Sequence, residues 1–191
     1  MNSLPQVLDV NTINIAYDGV STPMIRIATY GRGWWERSLP TTTIRSLQGT
    51  ISLEGATNLS QPATFEFRPT DSSEPFRRDV TLRGNGSFFL AALPPLNYNV
   101  RIKSPQWLAK ATPVDLRSAD VSGFVASLRA GDANDDNSAD ALDLAVLINA
   151  FNTTNGLDAA YNQAADFNTD GSVDALDLAL LIDNFNTEGD P

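Results

Sequence analysis

Between residues 48 and 128 apolar and polar side chains alternate in short runs separated by turn residues. Phe65 and Phe67, Val80 and Leu82, and Tyr98, Val100 and Ile102 stand two positions apart, so each run can bury one face as a β-strand. The runs at 48–54, 63–68, 77–83, 87–92, 98–103, 108–116 and 124–128 carry turn punctuation between them, the pattern of an antiparallel β-sandwich. Asn85-Gly86 between two runs is a two-residue hairpin signal, because both residues tolerate positive φ. Further along, the period changes. Leu144, Leu147, Ile148 and Phe151 fall at helical spacing and recur 34 positions later as Leu178, Leu181, Ile182 and Phe185, which predicts two helices with one apolar stripe each. Either helix alone is too short to be stable in water. Upstream, Ile13, Ile15 and Tyr17, then Ile25, Ile27 and Thr29, predict two strands around a turn at Gly19 and Pro23.

A chain of 191 residues with 42% hydrophobic residues can bury a core and exceeds one average domain. Its charge is divided unevenly: residues 131 to 191 hold 12 Asp, one Glu and no Lys or Arg, while all 13 basic residues lie before them. Such a surface argues against a nucleic-acid partner. The absence of Cys and His removes disulfides, thiolate or imidazole zinc sites and any imidazole relay. Hard oxygen ligands remain. No stretch approaches the roughly 20 apolar residues of a membrane span, and the first residues do not read as a signal peptide. The chain is therefore expected to be either cytoplasmic or a piece of a longer secreted protein.

The acidic region repeats a loop. Asp132, Asn134, Asp136, Ser138, Asp140 and Asp143 occupy positions 1, 3, 5, 7, 9 and 12, and Asp166, Asn168, Asp170, Ser172, Asp174 and Asp177 repeat them. This is the ligand spacing of an EF-hand calcium loop, with the serines offering main-chain carbonyls. Four crowded carboxylates repel one another by about 1 kcal/mol per close pair in water; a bound divalent cation reverses that sign. Two calcium ions are expected. Asn137 stands where the second loop has Gly171, a position that needs a sharp turn with positive φ, so the first site is expected to be the weaker. Asp140 and Asp174 are placed to cap the following helices.

The Asp-x-Asn-x-Asp loops, Asp rather than Glu at position 12, Leu after it and a single helix per loop resemble a type I dockerin over residues 131 to 188. The resemblance implies a cohesin-type partner, bound through positions 10 and 11 and the helix face that follows. Those positions are Ala141, Leu142, Ala175 and Leu176, and the basic residues many members carry there are missing. Residues 48 to 55, 84 to 90 and 93 to 100 together resemble the carboxypeptidase-regulatory-like, transthyretin-type sandwich, a spacer that does no chemistry in most of its members. Residues 25 to 36, with Thr29-Tyr-Gly-Arg-Gly33 before an aromatic pair, resemble the closing strand of a sialidase-type β-propeller.

The expectation assembled from these readings is a multidomain chain: residues 1–40 a strand segment ending an upstream propeller, 41–130 an antiparallel β-sandwich, and 131–191 a small all-α dockerin with two EF-hand-like loop–helix motifs. Function is expected to be calcium-dependent anchoring of a larger extracellular, polysaccharide-degrading protein, itself a monomer. A calcium-stabilised terminal cap without a cohesin partner and a fragment of a glycoside hydrolase are the competing readings. Removing calcium is expected to melt residues 131 to 188 and leave the sandwich folded.

Overall fold

The computed structural model describes the backbone of three N-terminal strands and all residues from 43 to 191. Contacts divide the chain into residues 1–43 and 44–191. In the first unit β1 (Val10–Ala16), β2 (Met24–Thr29) and β3 (Gly33–Ser38) form an antiparallel meander in the order β1-β2-β3. That is one strand more than the alternation indicated. The side chains of the propeller-like segment, including Trp34 and Trp35, lie outside the described residues.

The second unit opens with two facing sheets. One has the order β10-β4-β7, built from β4 (Arg45–Leu53), β7 (Ser87–Leu93) and β10 (Val121–Leu128). The other has the order β11-β9-β8-β5-β6, from β5 (Pro62–Pro69), β6 (Phe76–Thr81), β8 (Asn97–Ser104), β9 (Gln106–Asp115) and β11 (Ala130–Asp132). Their inner faces supply Leu47, Ile51, Phe88 and Phe124 from the first sheet and Phe65, Phe67, Val100 and Ile102 from the second, all buried. Phe67 stacks on Phe76, and Tyr98 meets both rings edge-on.

The sandwich is not wholly antiparallel, since β10 runs parallel to β4. The two strands approach so closely at Gly49 that a Cβ there would lie 1.9 Å from the Phe124 carbonyl oxygen; glycine is the side chain this contact admits.

Beyond β11 come β12 (Ser138–Ala139), α1 (Ala141–Ala150), β13 (Thr153–Thr154), a 3₁₀ turn at Gln163–Ala165, β14 (Ser172–Val173), α2 (Ala175–Asp183) and β15 (Thr187–Glu188). The expected all-α C-terminal fold is therefore wrong: this region mixes two helices with short strands, and strand dominates the chain as a whole. The reason lies in the loops. Once its side chains are turned inward, each loop presents an extended pair of residues whose backbone groups need partners. They find them reciprocally, β12 pairing with β15 after the second helix and β14 with β13 after the first. The segment 157–164, readable as a connecting helix, forms only the 3₁₀ turn at its end.

Candidate metal loops and helix faces

The two loops fold alike. Positive φ occurs at Asp135 (63°) and Asn137 (72°) in the first and at Thr169 (55°) and Gly171 (91°) in the second, then at Asn152 (60°) and Asn186 (58°) after the helices. Each pair is related by the 34-residue repeat.

The hydrogen bonds repeat as well. Asp132 Oδ1 accepts from the Asp136 amide at 3.0 Å and Asp166 Oδ1 from the Asp170 amide at 3.1 Å. Asn134 and Asn168 accept from those same amides. Asp136 and Asp170 accept from the Ser138 and Ser172 amides, both at 2.9 Å. At position 12, Asp143 accepts from Ala133, Asn134 and Asp140, and Asp177 from Asn168 and Asp174. These bonds close each loop on the oxygen-bearing side chains at positions 1, 3, 5 and 12.

Asp140 and Asp174 are N-caps. Each accepts from the amide two residues on while Asp143 or Asp177 returns the bond, a capping box at both helices. The position-12 carboxylates thus do two tasks, tying the loop shut and starting the helix.

Burial gives these carboxylates a chemical meaning. Asp132, Asp143, Asp166 and Asp177 are all buried, and burying an ionised carboxylate is costly unless a cation compensates it. Loss of water raises the pKa of Asp132 despite the nearby Lys103, and raises that of Asp177 through burial, with its neighbours Asp166 and Asp174 adding to the effect. No Lys or Arg occurs after residue 130. A hard divalent cation fits this donor set, whose remaining members are amide and main-chain oxygens. Among the described residues, acidic side chains alone do not group into a three-carboxylate cluster; the loop positions alternate carboxylate, amide and carbonyl oxygen.

The helices bury only part of the stripe expected of them: Leu147 and Leu181 are buried, and Leu144, Leu178 and Phe185 pack on the core. α1 turns Asp143, Leu147 and Ala150 inward, and α2 turns Asp177 and Leu181 inward. Ile148 and Ile182 are both 61% exposed, and Phe151 is exposed. Leu142 and Leu176 are each 60% exposed, so neither packs between the repeats. Ala141, Ala145, Ala175 and Ala179 are exposed beside them. Each helix therefore shows solvent an Ala-Leu-Ala-Ile face, and the two faces match by the repeat. The periodicity could not reveal this, because both sides of each helix are apolar.

Sequence reasoning missed the connections to the sandwich. Asp132 is the last residue of β11, so the first loop grows out of a sheet edge. Gln106 bonds the carbonyls of Gln163 and Asp166, and Thr57 donates from its amide to the Asn168 carbonyl at 2.7 Å. Glu54 accepts from Asn184 at 2.6 Å and from the Ala130 amide, while its carbonyl accepts from buried Trp107. At the other end Asp190 accepts from the Ala111 amide and pairs with Lys110. One hydrophobic cluster runs from Leu47 and Trp107 to Phe167 and Leu181.

Residues 130–186 match the family model of the dockerin type I domain. Among solved structures, the chain is similar to one in the crystal structure of a C-terminal interface mutant of a type II cohesin–X–dockerin complex from Acetivibrio cellulolyticus, with TM-score 0.61, 22% identity, and coverage of 76% of this chain and 97% of that one. An N-terminal interface mutant of the same complex gives TM-score 0.60 at 20% identity with the same coverage. At these identities the likeness concerns the fold. No curated protein matches the chain.

Proposed function

We propose that residues 131–191 are a calcium-organised dockerin-type docking module carried by the 41–130 sandwich, with 1–40 ending a further body upstream, and that its partner is a cohesin-type domain. The carrying observation is the correspondence of the two loops in φ signs, in most of their hydrogen bonds and in their buried carboxylates, each feeding an exposed apolar helix face. The dockerin family match and the backbone likeness to chains of cohesin–dockerin complexes support the same reading.

Asp132, Asn134, Asp136, Asp140 and Asp143, with the Ser138 carbonyl, would hold one ion; Asp166, Asn168, Asp170, Asp174 and Asp177, with the Ser172 carbonyl, would hold the other. Calcium supplies the positive charge that lets these oxygens sit together out of water. The chain's own residues then convert loop order into a surface: the position-12 carboxylates fix the first turn of each helix, and Leu142 with Ile148, or Leu176 with Ile182, is presented outward. Exposed apolar side chains on a rigid helix face suit an interface core. The terminal-cap reading has Phe151 and Phe185 buried against each other or against the sandwich, which the exposure of Phe151 disfavours, although Phe185 does pack on the core. The hydrolase reading requires a carboxyl group free to give a proton, whereas Asp132, Asp136, Asp140 and Asp143 all accept backbone amides.

The parent's extracellular setting and its work on polysaccharide belong to this proposal through the family alone; no helix among the described residues is long and apolar enough to cross a membrane. The test is capture of the full chain by a panel of cohesins in calcium and in chelator. Calcium-dependent capture that survives Leu142→Asp or Leu176→Asp singly and fails in the double variant is expected, because the repeat provides two equivalent faces. Capture indifferent to both the ion and the double variant would refute it.

A further inference from the structure

The two loops agree at positions 1, 3, 5, 7, 9 and 12 and in the signs of φ, yet the outer oxygen of their first carboxylate is treated differently. Asp132 Oδ2 accepts from the Asn137 amide at 2.9 Å and meets Lys103 Nζ at 3.1 Å. Its counterpart, Asp166 Oδ2, accepts from the Gly171 amide at 3.0 Å and from the Tyr161 hydroxyl at 2.7 Å. One loop is thus backed by a full positive charge, the other by a neutral phenol.

Lys103 is well held. Its side chain is 14% exposed, and beside the ion pair with Asp132 its ammonium donates to Asp135 and to the Ser104 carbonyl. It comes from β8 of the sandwich. No cation within the repeat region itself could take this place, since residues 131 to 191 contain none.

We propose that Lys103 is a resident counter-ion of the first loop, which steadies that loop when metal is absent and opposes the metal's charge when it binds, so that two loops of equal ligand set become one weak and one tight calcium site. The inference rests on the calcium reading above. The cause is electrostatic: a unit positive charge a few ångströms from an incoming dication repels it, whereas the same charge favours the metal-free, buried Asp132. Calcium affinity of the first loop is in this way set by a residue of the neighbouring sandwich. The second loop, anchored through Thr57 and Tyr161 without charge, escapes the penalty.

The test is calcium titration by calorimetry on the full chain with the second loop disabled by Asp170→Ala, comparing Lys103 with Lys103→Met and Lys103→Arg. Methionine keeps the length and removes the charge. Loop-one affinity is expected to rise about tenfold in Lys103→Met, the scale of removing one nearby unit charge at near-aqueous dielectric, and to stay within about twofold in Lys103→Arg. The calcium-free amide spectrum should at the same time lose dispersion at Asn137 in the methionine variant only. An unchanged or weaker loop-one affinity in Lys103→Met overturns the counter-ion role while leaving calcium binding intact. Absence of any calcium uptake by the wild-type chain, with both loops intact, overturns both.

Discussion

Asn137 shows how one residue can carry a local cost and a tertiary gain together. Its φ of 72° is of the kind that favours glycine, which the second loop has as Gly171. From sequence, the asparagine reads as a tolerated exception. In the fold its Oδ1 accepts from the Ala109 amide at 2.8 Å and its Nδ2 donates to the Asp190 carbonyl, bonds glycine could not make. Replacing Asn137 by Gly should relieve about 0.5–1 kcal/mol of backbone strain but leave a partly buried amide without a partner, worth about 1–3 kcal/mol. A net loss of about 1 kcal/mol is expected in urea unfolding with calcium saturating; a stabilised variant would mean the bridge to β9 contributes nothing. Asp190 makes a pH prediction at the same end of the chain. The Ala111 amide first, and then Lys110, hold its pKa below the ordinary aspartate value. A lowered folded pKa means that its contribution is complete above the unfolded value and fades as pH falls through the folded one. The gap in melting temperature between the wild type and Asp190→Asn should therefore be steady near neutrality and close below about pH 4. A gap that widens in acid would contradict the sign.

At the scale of elements, the seven sandwich strands were legible because period-two alternation is a local property of each run, and all seven appear within a few residues of their expected ends. Direction and partner were not, because a strand's own residues do not say which neighbour it lies beside. The parallel pairing of β4 with β10 shows itself only at Gly49, and Gly49→Ala should cost several kcal/mol, about what severe overpacking against backbone costs. Soluble yield and melting temperature would report it, and an unperturbed variant would require the two strands to lie further apart. The strand β11 was unreadable for another reason: three residues, Ala130, Gly131 and Asp132, carry no alternation. The helices were visible but their orientation was not. Their apolar positions surround more than half the circumference, so the buried side is decided by Asp143 and Asp177, which must turn inward to bond the loop amides. Asp177→Ala should therefore remove more than a metal ligand. With the Asn168 and Asp174 amides left unpartnered, a loss of about 2–4 kcal/mol and a drop in helical circular dichroism that saturating calcium does not restore are expected. Loss of calcium affinity with helix content intact would show that the capping box is dispensable.

Over the whole molecule, the repeated loop-and-helix pattern was legible in sequence because spacing along a single short segment specifies it. The attachment of the loops to the sandwich was not, since it depends on Glu54, Thr57, Lys103 and Gln106, residues far away in the chain. That attachment revises the expected response to chelation. With β11 paired to β9 and Trp107 bonded to Glu54 beside Asn184, loss of the ions should loosen the neighbouring end of the sandwich as well as residues 131 to 188, and amide exchange at Leu108 and Ala130 should quicken in chelator. A single hydrophobic cluster spans both parts, so bound ions would be structural for more than their own loops. The central claim is that these paired loops take up calcium. Native mass spectrometry of the full chain against the double variant Asp136→Ala/Asp170→Ala tests it most directly: two bound calcium ions on the wild type and none on the variant are expected, while a wild type that stays metal-free in excess calcium, or a variant that binds as many ions as the wild type, contradicts it.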